Sequence, residues 1–535
     1  MTLPYLTDDC IYYILQHLQN DRSTLFNCLL VNRFWCKSTI PLLYANPFIN
    51  MIEKNYSIIS TIILCFNRTE ILRLKNQLGI SQINDIDFDE EDYKPLFEYT
   101  KHLENYNYFI INSVICKWFV KYCSDLSISH NKICDDIIPI FHQSILRQSR
   151  NIKQLDLLLY LFYNENFKNF QVQNFTSNLT KLNSLSLNFH LIGTNYTKIN
   201  EIEQEFLSNI SNISLNLRKL TIKLPRTNRS LFQYVTSNNL INTSTMEKLC
   251  TIIQKQNKLK MFKITNCYTL LNNVLLSLEF QKYSLVQIEF INSDFSNVSL
   301  KSLNDFYNLE SLTFEICKGL FLDQCEVLNL ASFKLKGLTF KRNIWNIDVT
   351  SLMVKYLGAS LQRLFVDNPT IPLINNISMY CLNLICLKIR INFHIDLSVL
   401  PFFKNLRSKI LNISISYYYS NNINEFFINL ANNIPFDIKK ISIHLLNSNN
   451  FLRFKEFLDN CHNGFEVIYL NHMIELEFLK IVLNYIERSN NSLKILGIRE
   501  LDKELNDEEL KLLNQIKAKG VRIVDFNTFY NVYYI

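Results

Sequence analysis

"LESLTF", residues 309–314, places apolar side chains at its first, fourth and sixth positions. The same pattern stands at residue 285 as "LVQIEF" and at residue 335 as "LKGLTF". From residue 259 onward, successive copies begin 23 to 28 residues apart, and a period of this length is typical of a solenoid of stacked repeats. The further copies begin at residues 152, 182, 217, 259, 361, 384, 410, 438, 465 and 493.

The last two apolar residues of each copy are separated by one residue, which predicts a short strand with one buried face. Segments such as "PLINNISMYCL", residues 372–382, are long enough to return the chain to the next strand. One copy cannot bury its strand face alone, so stacked copies must share one core. The predicted fold class is therefore α/β, a solenoid with a curved parallel sheet and with helices on its convex side.

The strand residues between the buried positions are expected to point away from the core, on the concave face. They carry both charges and a few aromatic side chains. Such a surface suits a folded protein or a peptide better than a phosphate backbone, with the aromatic residues as anchors. The alternative for any one of these residues is a purely solvated position. The residues predicted to contact a protein substrate are Phe365, Lys388, Arg390 and Tyr469.

The two ends of the repeat array differ from its middle. Wider spacing of the copies before residue 259 predicts insertions near 191–212 and 226–250. At the far end, "NDEELKLLNQIKAKG", residues 506–520, begins with acids, ends with lysines and is closed by Gly520, which predicts a capping helix. "VRIVDF", residues 521–526, predicts a final strand. The solenoid with its cap is placed at residues 151–535.

The N-terminal residues predict three short helices, one over 8–18, one over about 22–31, and one that contains Trp35 and reaches to about Tyr44. In "FNCLLVNRFWC", residues 26–36, apolar side chains cover more than one helix face. A unit of fewer than about 50 residues is too small to bury all of them itself. Its surplus apolar surface therefore indicates a partner. The first helix is predicted from apolar residues at helical spacing, Ile11, Ile14, Leu15 and Leu18.

Residues 50–150 connect this unit to the repeats. They contain two stretches rich in Ile, Leu and aromatic residues, one over 53–80 and one over 105–128. Both are predicted to form packed helices, which makes this region a rigid helical linker.

The stretch "LPYLTDDCIYYILQHLQNDRSTLFNCLLVNRFWCKSTIPLLY", residues 3–44, resembles an F-box. The family pattern begins with Leu-Pro, continues through a helix with Ile and Leu at helical spacing, and ends in Val-x-Arg-x-Trp. This chain departs from it at Leu6, where many members carry a polar residue. The resemblance falls within the predicted F-box domain, residues 1–49, and implies that this domain binds the Skp adaptor of a cullin-RING ubiquitin ligase. The residues implied in that contact are Leu3, Pro4, Ile11, Ile14, Leu15, Leu18, Leu25, Val31 and Trp35.

The repeats resemble leucine-rich repeats, with Cys267 and Cys317 where the longer repeats of this class often carry Cys or Asn. The whole chain resembles the expanded F-box and leucine-rich-repeat families of some fungi. This implies a substrate receptor that binds the Skp adaptor, and through it a cullin scaffold, while the repeats bind a protein substrate. The alternative is a non-ligase binding or scaffold protein whose N-terminal helices serve only as a cap.

Motifs and charge predict no catalytic function for the chain. The eight glycines lie at least 18 residues apart, which excludes the glycine loops that cradle phosphates or present a catalytic serine. No set of His and Cys residues has the spacing of metal ligands, so neither a metal nor a cofactor is predicted. The net charge of +7, from 55 basic and 48 acidic residues without a long block of either sign, argues against nucleic-acid binding.

Membrane insertion is not expected, because no apolar run approaches the roughly 20 residues of a membrane helix. The 14 cysteines form no CxxC pair and suit a reducing compartment. An intracellular protein, cytoplasmic or nuclear, is therefore predicted.

Overall fold

Strands and helices alternate along the chain in the computed structural model. The chain divides into two units, Met1–Ser284 and Leu285–Ile535, and each unit has its own core. The structure describes residues 7–49, 57–78, 95–122, 132–189, 200–226, 241–392, 397–416, 423–446, 452–499 and 504–526.

The first unit begins with helices and continues as a parallel sheet. Each strand is hydrogen-bonded in parallel to the next strand of the chain. The strands are β1 (Asn105–Asn107), β2 (Gln154–Leu158), β3 (Ser184–Asn188), β4 (Lys219–Lys223) and β5 (Met261–Thr265). The α-helices are α1 (Asp8–His17), α2 (Arg22–Cys28), α3 (Arg33–Ala45), α4 (Ser57–Leu64), α5 (Arg68–Leu78), α6 (Tyr108–Tyr122), α7 (Ile138–Gln148), α8 (Val172–Ser177), α9 (Glu201–Ile213), α10 (Thr243–Gln254) and α11 (Leu271–Leu278).

The second unit is a regular array of parallel strands, each paired with the next. Its strands are β6 (Gln287–Ile291), β7 (Ser311–Glu315), β8 (Gly337–Lys341), β9 (Arg363–Asp367), β10 (Cys386–Asn392), β11 (Ile410–Ser416), β12 (Lys440–Leu446), β13 (Val467–Met473), β14 (Ile495–Arg499) and β15 (Arg522–Asp525). Its α-helices are α12 (Leu322–Glu326), α13 (Ile347–Leu357), α14 (Ile371–Tyr380), α15 (Ile423–Asn433), α16 (Leu452–Asn460), α17 (Leu476–Arg488) and α18 (Asp507–Ala518). Two connections instead use the 3-10 helices Leu300–Asp305 and Leu397–Asn405. The predicted α/β repeat solenoid is confirmed.

Side chains alternate between buried and partly exposed along the strands. In β7, Leu312 and Phe314 are fully buried, while Thr313 and Glu315 between and after them are partly exposed. The buried residues pack with the buried sides of the helices and form the core. The opposite side of the sheet is called the open face. In the second unit it consists of one residue from each strand and the strand residue two positions after it. The first residues of these pairs are Glu289, Thr313, Thr339, Phe365, Lys388, Asn412, Ser442 and Tyr469.

The predicted repeat start at residue 410 is wrong by two residues. Leu387 of β10 is aligned with Leu411 of β11, and Leu411 with Ile441 of β12, so the residue equivalent to Leu384 is Ser408. Ser408 is fully buried where the other repeats carry an apolar side chain. Because serine breaks the apolar pattern, the start of this repeat was predicted at the next apolar residue, residue 410.

The sheet also begins earlier than the sequence indicated. β1 lies in the segment predicted as a helical linker, and it pairs Tyr106 with Leu155 of β2. Its repeat reads "LENYNY", residues 103–108, with Tyr106 in the strand and Tyr108 at the start of α6, where the other repeats carry aliphatic residues or Phe. Tyr106 is 1% exposed, so its ring fills the core position, and its hydroxyl lies 2.7 Å from His142 Nδ1.

The turn after each of five consecutive strands uses a left-handed backbone residue. Asparagine tolerates this conformation better than most residues and supplies three of the five. The two predicted cysteines, Cys267 and Cys317, follow two of these residues and are fully buried, and Cys317 Sγ lies 3.3 Å from the Phe290 carbonyl oxygen. The five left-handed residues are Asn266, Asn292, Ile316, Arg342 and Asn368.

The predicted capping helix and final strand are confirmed as α18 and β15. The Asn506 side chain accepts a hydrogen bond from the Glu509 backbone N–H at 2.8 Å, and the Glu509 carboxylate accepts one from the Asn506 N–H at 3.1 Å. This reciprocal pair satisfies two otherwise unpaired backbone donors at the helix start. Gly520 then ends the helix with φ +85°, as its position predicted.

Candidate functional site

Strand register brings three of the four predicted substrate-binding residues together on the open face. Phe365 of β9 is directly opposite Lys388 of β10, and Asp367 is directly opposite Arg390. Tyr469 of β13 stands in the same row as Phe365 and Lys388. It lies three strands beyond Lys388, with Asn412 of β11 and Ser442 of β12 between them. The open face of β9–β13 is therefore one candidate protein-binding surface.

Phe365 is the centre of a small cation-aromatic cluster. Lys388 Nζ lies 5.2 Å from the centroid of the Phe365 ring, and Arg390 Cζ lies 5.6 Å from it. Both distances allow attraction between the cation and the ring face. Burial lowers the pKa of Lys388 to about 8. The ammonium is therefore held in a partly desolvated site beside an aromatic ring that is itself partly exposed.

Arg390 is less available to a partner than the sequence suggested. Its side chain is 8% exposed and forms an ion pair with Asp367, whose side chain is 12% exposed. The same carboxylate accepts a hydrogen bond from the Arg342 backbone N–H. Arg390 therefore fixes the turn after β8 against β9 and β10. The contact of Arg390 with a substrate stays a prediction.

Tyr469 lies at the edge of a second aromatic group. A Cβ atom added to Gly497 of β14 would stand 2.0 Å from Tyr469 Cδ1, so the tyrosine ring covers that glycine. The ring of Phe526 lies 6.4 Å from that of Tyr469 and 5.6 Å from that of His444. Burial lowers the pKa of His444 to about 4, so this imidazole is neutral at pH 7.

Asn471, two residues after Tyr469 on β13, is held by the neighbouring strand. It is 5% exposed, and its amide accepts from the Leu445 N–H and donates to the Leu445 carbonyl, each at 2.7 Å. The register of β13 against β14 shifts between Tyr469 and Met473, which disturbs the alternation of faces there.

The N-terminal helices form the second candidate surface. Ile11, Leu15 and Leu25 are buried at its centre, and Leu18 and Trp35 pack against them with partial exposure. These five predicted adaptor-binding residues therefore build the unit itself. Of the remaining four, Leu3 and Pro4 lie outside the described residues. Ile14 and Val31 are exposed, at 41% and 59%.

Further exposed apolar residues stand beside Ile14 and Val31. Sequence reasoning assigned them no role, although a helical wheel drawn with Ile11 and Leu15 inward would have placed the tyrosines of α1 outward. They are Tyr12, Tyr13, Phe26 and Leu30, exposed by 47%, 65%, 61% and 78%.

Polar contacts hold the three helices in place. Asp21 caps α2 by accepting from the Thr24 N–H at 3.0 Å, and Asn32 caps α3 by accepting from the Trp35 N–H at 3.0 Å. The Arg22 guanidinium donates to the Asn46 carbonyl at 2.7 Å, which ties the start of α2 to the end of α3. Losing a cap typically costs about 1 kcal/mol. The exposed apolar side chains therefore sit on a defined scaffold.

The described part of the chain contains no group of three or more His, Cys, Asp or Glu side chains placed to hold a metal ion. Among the described helices, none is long and apolar enough to cross a bilayer.

No family model matches this chain, and no curated protein sequence matches it. Among solved structures, the yeast Rad7 and Elc1 complex is similar over 59% of this chain and 77% of that chain, with 13% identity and a TM-score of 0.32. An internalin from Listeria monocytogenes is similar over 72% and 88%, with 16% identity and a TM-score of 0.27. The leucine-rich-repeat ectodomain of the receptor kinase GASSHO1/SCHENGEN3 from Arabidopsis thaliana is similar over 71% and 42%, with 14% identity and a TM-score of 0.24.

Proposed function

We propose that this protein is the substrate-recognition subunit of a Skp-cullin-F-box ubiquitin ligase. The N-terminal helices bind the Skp adaptor, and the open face of the repeats binds the protein to be ubiquitinated. The observation that carries the proposal is the apolar surface of the N-terminal helices. Within residues 12–31, six large apolar side chains are each more than 40% exposed, although the unit has its own core.

Exposure of these apolar side chains to water costs free energy, and a bound partner would remove that cost. Burying a Leu, Ile or Phe side chain is worth roughly 1.5–3 kcal/mol relative to leaving it in water. Several such residues on one small helical unit are typical of a protein-binding surface. The predicted contacts thus narrow to Ile14 and Val31, with Leu3 and Pro4 retained from the F-box resemblance.

A receptor in such a complex needs no catalytic residue. Holding a lysine-bearing substrate near a charged ubiquitin carrier makes their encounter effectively intramolecular, which raises the local concentration. The open face offers this chain a place for that substrate, because Phe365 is partly exposed beside Lys388, and Tyr469 is partly exposed in the same row.

The second candidate function is a binding or scaffold protein in which the N-terminal helices only cap the repeats. A specific contact favours it: the Glu104 N–H, just before β1, donates to the Ala45 carbonyl at the end of α3, at 2.9 Å. The rings of Tyr44 and Tyr99 also pack at 4.6 Å. A cap of this kind shields the first repeat. Capping uses the end of α3 and leaves the residues of α1 and α2 exposed.

The adaptor contact is tested by placing charge on the exposed side chains. Replacing Ile14 and Val31 together by Asp should weaken binding of the purified Skp adaptor at least about tenfold, because two carboxylates would be desolvated in the complex. Leu276→Asp is the matched control, because Leu276 is 48% exposed on α11 of the repeats. Calorimetric titration with circular dichroism reports binding and folding together.

Leu3→Ala with Pro4→Ala tests the resemblance separately and should weaken the same complex. Adaptor binding that is absent from the wild type, or unchanged in both double variants, would leave the scaffold function as the better conclusion.

The substrate surface is tested at Phe365. Phe365→Ala should reduce the proteins that co-purify with the full chain, while the melting temperature changes little, because the ring is partly exposed. Thr339→Ala on the adjacent strand is the control for a change on the same face. Quantitative mass spectrometry that finds the same proteins at the same abundance for both variants would place substrate recognition elsewhere.

A further inference from the structure

The residue immediately before a strand, called its entry residue, often carries a charge in this chain. Entry residues of neighbouring strands are hydrogen-bonded through their backbones, as where the Lys153 N–H before β2 donates to the Glu104 carbonyl before β1. Three neighbouring pairs of entry residues join opposite charges. They are Lys153–Glu104, Lys336–Glu310 and Lys494–Glu466, with N···O distances of 2.7, 2.6 and 2.9 Å.

The entry residues of β4 and β5, Arg218 and Lys260, depart from this pairing. The Lys260 N–H donates to the Arg218 carbonyl at 2.9 Å, which places two cations where the three ion pairs place a cation and an acid. Like charges at adjacent positions of neighbouring strands repel and destabilise a sheet. The backbone pairing is the same as in the three ion pairs, so the local structure does not require two cations here.

The next entry residue on the β3 side of Arg218 does not offset these charges. It is Asn183, whose carbonyl accepts from the Arg218 N–H at 2.7 Å and whose side chain is neutral. In the second unit, Lys409 and Lys439 form a comparable pair of cations, but there the next entry residue is Glu466. The pair before β4 and β5 therefore has the less compensated charge.

Further cations surround this pair. The segments leading into β3, β4 and β5 read "NLTKLNS" at 178–184, "NISLNLRK" at 212–219 and "QKQNKLKM" at 254–261. Together they contain six Lys or Arg residues and no Asp or Glu. All of these cationic side chains are exposed, and the surface they form is called the cationic rim. Its residues are Lys181, Arg218, Lys219, Lys255, Lys258 and Lys260.

Helix ends and neighbouring amides explain only part of the rim. Lys255 stands at the C-terminus of α10, and both it and Lys181 donate to asparagine side chains. A helix dipole favours cations only within its last turn. Arg218 and Lys260 lie beyond the last turns of α9 and α10, so the helices do not account for them. Within the part of the first unit that the structure describes, no carboxylate forms an ion pair with a rim residue.

The chemistry of the three segments favours a protein ligand. They contain no aromatic residue, so the bases of a single-stranded nucleic acid would find no ring to stack on. Their exposed apolar side chain is Met261, at 36%, which offers little to insert into a membrane. Asn216 and Asn257 are exposed among the cations, and their amides can hydrogen-bond the backbone of a peptide.

The rim also matches an acidic peptide in size. Neighbouring strands lie about 4.8 Å apart, so the entry residues of β3, β4 and β5 span roughly 10 Å. Carboxylates on alternate residues of an extended peptide are roughly 7 Å apart. A segment with about three acidic side chains can therefore reach across the rim and contact Arg218 and Lys260 together.

We propose that the cationic rim binds an acidic, extended segment of a protein partner. Carboxylates of that segment lie between Arg218 and Lys260 and replace the repulsion of these cations by attraction, as Glu104 does for Lys153. The rim uses no residue of the open face and none of α1 or α2. Binding at the rim is therefore independent of the proposed function.

Lys260→Glu tests the rim in a variant that should fold. The new carboxylate would stand beside Arg218 as Glu104 stands beside Lys153, so the melting temperature should rise. The probe is a fluorescein-labelled peptide of six Ser-Glu repeats, and its binding to the full chain is followed by fluorescence anisotropy at low salt. We expect Lys260→Glu to weaken binding at least about fivefold, because the rim loses a cation and gains a carboxylate.

Matched variants and peptides assign this loss to the rim. Lys301→Glu alters an exposed lysine on a 3-10 helix of the second unit, changes the net charge equally, and should bind the probe as the wild type does. A peptide of six Ser-Gln repeats should bind none of these chains. Arg218→Glu with Lys260→Glu reverses both charges, and should weaken the acidic probe at least about tenfold while binding a peptide of six Ser-Lys repeats.

Equal affinity of the wild type and Lys260→Glu for the acidic probe, or no binding by the wild type, overturns the proposal. Oligothymidine of twelve nucleotides, used as a competitor, covers the other class of partner. If it binds more tightly than the acidic peptide and Lys260→Glu weakens it as well, the rim is a nucleic-acid site and the proposed protein segment is wrong.

Discussion

Arg390→Glu should lower the free energy of unfolding by about 3 to 5 kcal/mol, the usual loss when one member of a buried ion pair is removed. The side chains of Arg390 and Asp367 are 8% and 12% exposed, so little solvent reaches either charge. The substitution would set two carboxylates side by side, and Asp367 would keep only its hydrogen bond from the Arg342 N–H. Urea unfolding followed by circular dichroism measures the change.

Two further variants separate this effect from a general response to charge. Lys494→Glu reverses an exposed ion pair with Glu466, whose side chains are 69% and 41% exposed, and should leave the unfolding transition nearly unchanged. Arg390→Glu combined with Asp367→Arg exchanges the two charges and should recover part of the lost stability. If the Arg390→Glu protein were as stable as the wild type but no longer bound its protein substrate, this result would instead support the substrate contact predicted for Arg390 from the sequence.

The Arg390 result marks what periodicity can and cannot predict. Alternation assigned Arg390 correctly to the open face, because a strand repeats every two residues. Its ion pair depends on Asp367, which is 23 residues away in the chain and adjacent only through strand register. One sequence without aligned relatives contains no signal for that pairing, so Arg390 was taken as a free charge.

The strands that were not predicted correctly from the sequence also have local explanations. The sequence did not predict β1, because its repeat carries Tyr106 and Tyr108 where the other repeats carry aliphatic residues or Phe. The start of the β11 repeat was displaced because Ser408 stands at a core position. Both errors arise where tertiary packing accepts a residue that the average pattern rejects. Phe526 was predicted to end a strand, because nothing in "VRIVDF" indicates that the Phe526 ring packs against His444.

For the N-terminal helices, the sequence predicted the three-helix unit but not which of its apolar side chains are buried and which are exposed. Ile11, Leu15 and Leu25 match the family pattern as well as Ile14 and Val31 do, yet only the last two are exposed. A pattern of apolar residues cannot separate the two groups in a unit this small, because both are spaced for a helix. The packing of α1 against α3 decides which side chains remain for a partner.

The second large effect is expected at the centre of the aromatic core of the second unit. Phe314 of β7 is fully buried and stacks between Phe290 of β6 and Phe340 of β8, with ring centroids 5.7 and 5.8 Å away. Its edge also meets Phe295 at 5.5 Å and Trp345 at 5.8 Å. Phe314→Ala should therefore lower the free energy of unfolding by about 3 to 5 kcal/mol, through lost burial and the cavity left behind.

Thr313→Ala, one residue earlier on the same strand, is the matched control. Thr313 faces the open side and is partly exposed, so its truncation should change stability by about half a kcal/mol or less. Thermal and urea unfolding of the two variants compare the two faces of β7 directly. Because a shift of one residue exchanges every inward and outward side chain, the reverse ranking would mean that the strand register is one residue out. Every open-face residue named here, Phe365 and Lys388 included, would then belong to the core, and the proposed substrate surface would fail together with the register.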